Sequence, residues 1–265
     1  MPMNILNEIM KHKREELRAV KSDVPLSELK ARIADLDKGK SFRTAVKRQQ
    51  GSGIRLVAEL KKASPSKGLI REDFNLPEIV SIYNRKKVAA ISVLTERRFF
   101  SGSLDYLHEA RKMTQKPLLR KDFIFDDYQV YEARANRADA ILLIAAALEK
   151  SQLGDLYGLA KELSLDCLVE IHNFRELDNA LSCGAEIIGI NNRDLVTLNI
   201  NLGTTFDFLK DIPDDRIIIS ESGINTRADV ESIESTRTDT VLVGTTIMKA
   251  DDIGAKIDEL MGVKN

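Results

Sequence analysis

Eight short apolar runs recur at nearly regular intervals and constrain the fold more than any other feature of the chain. They begin at Ile54, Ala89, Pro117, Ala140, Asp166, Glu186, Arg216 and Thr240. Their starts lie roughly 27 residues apart on average, the length of one strand plus one crossover helix. The intervening segments carry apolar residues at three- and four-residue spacing, which is typical of amphipathic helices. The pattern therefore predicts alternating β/α units around a parallel sheet.

The number of units decides between two α/β architectures. A doubly wound open sheet also alternates strands and helices, but eight units in 265 residues favour a (β/α)8 TIM barrel. We expect one domain, residues 1–265, with an N-terminal helical extension at 1–50 and the barrel at 54–262. We expect the extension to cover the bottom or flank of the barrel; the alternative is a lid over the substrate.

Charge and composition limit the classes of partner. Lys and Arg number 40 against 41 Asp and Glu, a net charge of −1, so no overall field attracts nucleic acid or an anionic membrane. No apolar run approaches the roughly 20 residues that span a bilayer, and the start lacks the features of a secretory signal. Cys167 and Cys183 form no CxxC pattern, which fits a reducing compartment. We expect a cytoplasmic protein that binds neither nucleic acid nor membrane.

Polar residues gather at the carboxyl ends of the predicted strands, where barrels carry their active sites. Alternate residues of a barrel strand face the interior, so Glu59 and Lys61 share the inward face of Val57. The same alternation turns further polar residues inward on later strands: Lys121, Glu170, Asn191 and Glu221. Burying unpaired charge costs several kcal/mol, so these groups either form a closing salt-bridge ring or bind a charged ligand. Their position at the catalytic end favours a polar substrate.

Two glycine turns add a signal for phosphate. Ser222-Gly223 follows the seventh strand and Gly244-Thr245 follows the eighth. Each supplies backbone N–H and hydroxyl donors where barrels commonly bind phosphate. Either glycine alone is compatible with a simple tight turn, but the pair on consecutive strands favours a phosphate site.

Lysine and glutamate are the candidate catalytic groups. Lys61 and Lys121 can act as general acids, and Glu59, Glu170 and Glu221 as bases, acids or orienting partners. A barrel lysine also permits Schiff-base chemistry. Without a His cluster, an Asp/Glu/His cage or a GxGxxG fingerprint, we expect no metal and no other cofactor.

Two residues near the fifth strand receive structural interpretations. His172 shares the alternation of Glu170 but lies at the loop boundary, so we interpret it as a residue that begins the next helix. Cys167 alternates away from Glu170, which indicates an inert packing residue beneath a helix.

Six ordered motifs, spread over nearly the whole chain, resemble those of the indole-3-glycerol phosphate synthase family. They are AELKKASPSKG from Ala58, FFSGS from Phe99, PLLRKDFI from Pro117, VEIHN from Val169, GINNRDL from Gly189 and SESGI from Ser220. The resemblance implies a (β/α)8 lyase of tryptophan biosynthesis with an N-terminal helical extension. It also implies the cofactor-free conversion of 1-(2-carboxyphenylamino)-1-deoxyribulose 5-phosphate to indole-3-glycerol phosphate, with loss of carbon dioxide and water.

The resemblance assigns catalytic roles residue by residue. Lys121 matches the general acid that protonates the ribulose carbonyl, and Glu170 matches its partner in later proton transfers. Glu59 and Lys61 match the pair that binds and positions substrate, and Lys61 is a second candidate acid. Which lysine acts in which step stays open.

The resemblance also implies substrate contacts. Its substrate-binding positions are Ser64, Phe100, Asn191, Arg193, Leu195 and Glu221, and its phosphate-binding positions are Ser222, Gly223, Gly244 and Thr245. Phe100 and Leu195 correspond to apolar walls for the aromatic ring, whereas Ser64 lies in a loop whose composition suits closure over a ligand. One departure is Thr245, where the family more often has serine or glutamate.

Two other functions remain alternatives. The first is another phosphosugar barrel enzyme, either an isomerase or a Schiff-base aldolase whose lysine adduct borohydride would trap. The second is a non-catalytic barrel that binds a phosphorylated ligand. We expect a small phosphorylated partner and a monomer or weak homodimer.

Overall fold

Eight parallel strands close into a barrel in the computed structural model, which describes residues 5–195 and 197–263. In chain order the strands are β1 (Arg55–Leu60), β2 (Ala63–Ser64), β3 (Gly68–Leu69), β4 (Ala90–Leu94), β5 (Leu118–Lys121), β6 (Ala140–Ile144), β7 (Asp166–Ile171), β8 (Ile187–Asn191), β9 (Ile217–Glu221) and β10 (Thr240–Val243). Strands β2 and β3 form a separate antiparallel hairpin, and β10 pairs with β1 to close the barrel. The predicted TIM barrel is confirmed.

Helices precede, connect and follow the barrel strands. They are α1 (Ile5–Asp23), α2 (Leu26–Ala34), α3 (Phe42–Val46), α4 (Leu76–Arg85), α5 (Leu104–Met113), α6 (Asp127–Ala135), α7 (Lys150–Glu162), α8 (Phe174–Ser182), α9 (Gly203–Phe208), α10 (Arg227–Glu234), α11 (Thr245–Met248) and α12 (Ile253–Leu260), with a 3-10 turn at Ala145–Ala147. Several start at a polar cap whose side chain accepts a backbone N–H, as Asn173 does for α8 and Thr226 for α10. Within the described ranges, no helix combines the length and apolarity needed to cross a membrane.

The strand alternation divides the core into two parts. Outward residues such as Leu56 and Ala58 pack in the layer between barrel and helices. Inward residues such as Val57, Leu119 and Leu168 pack together inside the barrel. The interior is therefore filled with apolar side chains below the rim, and polar side chains that face inward lie above this packed layer.

The N-terminal extension occupies three different places. Phe42 and Val46 of α3 are fully buried and close the bottom of the barrel, and α2 packs on α6 along the flank. Helix α1 departs from the prediction, because Ile5, Leu6 and Ile9 reach the opposite end and line the cavity there. Residues 1–4 of the predicted extension lie outside the described residues.

A buried ion pair holds α1 at that end of the barrel. Lys13 has a buried side chain whose Nζ lies 3.2 Å from Oδ1 of Asp122, the residue that follows β5. Asp122 is bound in turn by Arg120, whose Nη2 lies 3.0 Å from Oδ2. The extension is thus connected by charge to the strand that ends in Lys121.

Candidate active site

A cavity of about 460 Å³ opens at the carboxyl ends of the barrel strands. All fourteen residues predicted for the site line it: Glu59, Lys61, Ser64, Phe100, Lys121, Glu170, Asn191, Arg193, Leu195, Glu221, Ser222, Gly223, Gly244 and Thr245. They come from different strand ends and loops, and barrel closure brings them together. The structure therefore places the predicted set in one site, and their individual roles stay predictions.

Lys121 lies at the centre of the charged groups. Its Nζ is 3.2 Å from Oε2 of Glu170 and 3.4 Å from Oε2 of Glu221. Burial disfavours its charged form, but the nearby carboxylates of Glu170, Glu221 and Glu59 outweigh burial and raise its pKa above the ordinary value. Lys121 is consequently a firmly held ammonium group in the free enzyme.

The two carboxylates that contact Lys121 differ in basicity. Burial favours the neutral form of Glu170, but Lys121 and His172 outweigh burial and lower its pKa. Burial, together with repulsion from Glu170 and Glu59, raises the pKa of Glu221 to about 7 despite its contact with Lys121. At neutral pH Glu170 is thus ionised, whereas Glu221 changes charge easily.

Lys61 has a different environment from Lys121. Burial lowers its pKa, and the positive charges of Lys121 and Arg193 lower it further against the opposing effect of Glu59, whose Oε2 lies 3.9 Å away. Its Nζ also lies 5.8 Å from the ring centroid of Phe100. Lys61 therefore gives up a proton more readily than Lys121 does.

Two glycines make room for the carboxylates. A Cβ on Gly189 of β8 would overlap Oε1 of Glu221, and a Cβ on Gly244 would overlap Oε2 of Glu59. Both glycines face the barrel interior beside a charged strand end. They are needed for close approach of the side chains rather than for a left-handed backbone.

Gly189→Ala is expected to lower kcat by about tenfold to a hundredfold, because Glu221 must move away from Lys121 and small displacements of catalytic groups are costly. Steady-state kinetics on the purified variant measures the loss. Gly158→Ala is the matched control, because a Cβ there meets nothing within 4 Å. Wild-type kcat in Gly189→Ala would contradict a catalytic need for this placement of Glu221.

The predicted phosphate-binding turns lie side by side at the rim. Ser222 and Gly223 adopt consecutive left-handed conformations, with φ of 68° and 83°. The N–H groups of Gly223 and Thr245 donate no hydrogen bond to other described residues. Thr246 connects the two turns, because its hydroxyl donates to the carbonyl of Ile224 at 2.8 Å. The pair of turns thus offers backbone donors to an anion.

The remaining predicted contacts form the walls of the cavity. The Ser64 hydroxyl is buried and has no hydrogen-bond partner among the described residues, which leaves it available to a ligand. Asn191 accepts the backbone N–H of Arg193 at 3.0 Å through Oδ1, which fixes the orientation of its amide. Phe100 lies beside Phe123, with ring centroids 6.1 Å apart.

Sequence reasoning missed several residues that shape the site. Phe123 shares the inward alternation of Lys121 and lines the cavity, so extending the strand pattern by two residues would have found it. Glu96 is fully buried and accepts the N–H groups of Phe99 and Phe100, at 2.7 and 3.1 Å, which holds the loop that carries Phe100. No local sequence pattern indicates these contacts between the Glu96 carboxylate and the two backbone N–H groups.

His172 lies at the entry to α8, as the sequence predicts, and its side chain also contacts Glu170. Its backbone N–H donates to Glu176 of the first turn of α8, at 2.7 Å. Its side chain is 8 % exposed and its Nε2 lies 3.3 Å from Oε1 of Glu170. The alternation shared with Glu170 was the correct signal, because the inward face continues past the end of β7.

Comparisons with known proteins agree with the geometry. A family model for indole-3-glycerol phosphate synthase matches residues 6–260. The chain is 46% identical to the indole-3-glycerol phosphate synthase of Alkaliphilus metalliredigens over 97% of both chains. It is also 46% identical to the enzyme of that name from Thermoanaerobacter pseudethanolicus, again over 97% of both chains.

Solved structures with low sequence identity show the same fold. The 3-hexulose-6-phosphate synthase of Salmonella typhimurium superimposes with a TM-score of 0.64 at 16% identity, covering 79% of this chain and 98% of that one. A mutant tryptophan synthase alpha-subunit from Pyrococcus furiosus gives 0.61 at 15% identity, with coverage of 79% and 98%. These two matches concern the barrel alone; the family match and the close relatives show that the chain belongs to the indole-3-glycerol phosphate synthase family of carboxy-lyases.

Proposed function

We propose that the cavity converts 1-(2-carboxyphenylamino)-1-deoxyribulose 5-phosphate into indole-3-glycerol phosphate, carbon dioxide and water, using side chains of this chain as the acids and the base. The observation that carries the proposal is the meeting of Lys61, Lys121 and Glu170 in a cavity with two glycine turns at its rim. This arrangement matches a substrate with an anionic phosphate at one end and a reacting carbonyl in the middle.

The charges of the cavity support one orientation of the substrate. Its phosphate lies at the turns of Ser222-Gly223 and Gly244-Thr245, where backbone N–H groups are available. Its aromatic ring lies against Phe100 and Leu195. Its carboxylate lies near Lys61 and Arg193, since these two cations disfavour each other and an anion between them relieves that repulsion.

Ring closure is the first chemical stage. The aromatic carbon that bears the carboxylate attacks the ribulose carbonyl carbon, and Lys121 protonates the carbonyl oxygen as it becomes a hydroxyl group. The bond to the carboxylate then breaks, carbon dioxide leaves, and its electron pair restores the aromatic ring. The ammonium group of Lys121 also stabilises negative charge as it develops on the oxygen.

Dehydration is the second stage. Lys61, whose pKa burial lowers, protonates the departing hydroxyl, which leaves as water. Glu170 accepts a proton from the carbon beside the ring nitrogen, and the indole double bond forms. Two protons are donated and one is returned, which matches the one proton consumed when a carboxylate substrate releases neutral carbon dioxide.

The test is to incubate chelator-treated enzyme with the carboxyphenylamino-deoxyribulose phosphate and to follow indole fluorescence. We expect rapid product formation at the rate of the untreated enzyme, since the chemistry is assigned to side chains. Tight phosphate-dependent binding without product would overturn the proposal in favour of a binding barrel. A lysine adduct trapped by borohydride would favour an aldolase.

Two further properties belong to the same proposal. The cytoplasm is the proposed location, supported by the two free cysteines Cys167 and Cys183. A monomer or weak homodimer is the proposed assembly, because all fourteen candidate site residues lie in one chain around one cavity. Analytical ultracentrifugation of the purified enzyme tests the assembly.

A further inference from the structure

The ring of His172 lies between two carboxylates at the end of β7. Its Nε2 is 3.3 Å from Oε1 of Glu170, and its Nδ1 is 3.1 Å from Oε2 of Glu176. Among the described residues these are the charged groups that contact the ring, Glu170 from its own strand end and Glu176 from α8. The side chains of all three residues are largely buried, with exposed fractions of 4 to 11 %.

Glu176 is itself rigidly held. Its carboxylate accepts the backbone N–H of His172 at 2.7 Å and the side-chain amide of Asn173 at 2.5 Å. Its own N–H is bound by the cap residue Asn173 at 3.0 Å. The start of α8 thus holds the imidazole of His172 in place. The imidazole in turn limits the movement of the Glu170 carboxylate.

The two oxygens of Glu170 have separate partners. Oε2 contacts Lys121 at 3.2 Å, and Oε1 contacts His172. Because one oxygen lies beside Lys121 and the other beside His172, rotation of the carboxylate would lose at least one of these ion-pair contacts. Removing His172 would take away the ion-pair partner of Oε1 and leave Glu170 with Lys121 and the side chain of Asn191.

We propose that His172 is a positioning residue that, anchored by Glu176, fixes the orientation and the negative charge of Glu170 for its proton-accepting step. The inference rests on the proposed function of Glu170. The charge state supports it: burial would lower the pKa of His172, but Glu170 and Glu176 outweigh burial and raise it to about 9. The ring is therefore an imidazolium at neutral pH.

The kinetic test compares His172→Gln and Glu176→Gln with the control His108→Gln, which alters an exposed histidine on α5. We expect His172→Gln to lower kcat about tenfold with KM nearly unchanged, because Glu170 would lose a contact that orients it and small displacements of a catalytic group are costly. Glu176→Gln should lower kcat in the same direction, and it is the second variant should His172→Gln fail to fold. His108→Gln should behave as wild type.

An NMR titration of the three histidines supplies a readout that needs no turnover. Assigned through His172→Gln and His108→Gln, the His172 ring should lose its proton near pH 9 in the wild-type enzyme. Its titration midpoint should fall in Glu170→Gln and in Glu176→Gln, because coupling between charges is reciprocal. A histidine that merely fills space would titrate near pH 6.5 and ignore both changes.

The outcomes separate this inference from the proposed function. Wild-type turnover with unchanged kcat in both His172→Gln and Glu176→Gln would overturn the positioning role alone. So would a His172 midpoint that does not respond to Glu170→Gln. Failure of the wild-type enzyme to form product would instead overturn the proposed function, while the titration would still report whether the three side chains are coupled.

Discussion

Lys121→Ala is expected to lower kcat by at least about a hundredfold, the lower end for loss of a general acid. The side chain that should protonate the ribulose carbonyl is then absent, and within residues 5–195 and 197–263 no other ammonium group lies within ion-pair distance of both Glu170 and Glu221. Lys61 also lines the cavity, but its Nζ lies 3.9 Å from Oε2 of Glu59 and it pairs with that residue instead. Steady-state turnover of the purified variant, followed by indole fluorescence, measures the loss.

The fold of this variant should survive. Removing Lys121 takes away the attraction that opposes burial of Glu221, whose pKa is already raised to about 7, so Glu221 takes up a proton instead of remaining charged and unpaired. Far-UV circular dichroism should therefore match that of wild type. Lys87→Ala, at an exposed position after α4, is the control and should keep full activity. Near-normal turnover in Lys121→Ala would remove it from the acid role.

The part of the site that the sequence predicts follows from the alternation of side chains along β-strands, in which every second residue faces the same side. Once eight strands are recognised, alternation decides which residues face inward, and parallel closure brings their carboxyl ends to one rim. Glu59, Lys121 and Glu170 lie together for that reason. The prediction needs neither loop conformations nor side-chain rotamers, only the strand positions, and those are defined by short apolar runs.

The part of the site that the sequence does not predict depends on contacts that no local residue pattern specifies. The amphipathic pattern of a helix such as α1 indicates that one face is buried. It does not indicate which surface of the protein that face packs against. Lys13 looks like an ordinary surface lysine in the sequence, and its burial follows from Asp122, more than a hundred residues away. Likewise Glu96 acts through backbone groups of its own loop, whose fold no residue pattern specifies. Such pairings are decided by the assembled structure.

Asp122→Asn is expected to lower the free energy of unfolding by about 3–5 kcal/mol, the usual cost of removing one partner from a buried ion pair. Asp122 is 2% exposed and contacts Lys13 at 3.2 Å and Arg120 at 3.0 Å. It also accepts the hydroxyl of Thr95 at 2.6 Å. Glu16 and Glu132 still pair with the two cations, which keeps the loss within this range. Chemical denaturation followed by circular dichroism measures it.

The loss should depend on pH in a defined direction. Burial would raise the pKa of Asp122, but Lys13 and Arg120 outweigh burial and hold it well below its usual range. A group with a lowered folded-state pKa stabilises fully above its unfolded value, about 3.9, and loses that contribution as the pH falls towards the folded value. The difference between wild type and Asp122→Asn should thus be constant from about pH 5 to 8 and shrink below about pH 4.

The exposed Asp155 provides the matched control, since Asp155→Asn removes the same charge from the surface of α7 and should change stability by less than about 0.5 kcal/mol. A comparably small effect of Asp122→Asn would mean that the pairs of Glu16 with Lys13 and of Glu132 with Arg120 hold α1 and β5 without it. If the stability difference between wild type and Asp122→Asn instead grew on acidification, that result would contradict the lowered pKa of Asp122 in the folded protein. The expected combination of a large loss at neutral pH and its decrease in acid identifies Asp122 as the charged link between the extension and the strand that carries Lys121.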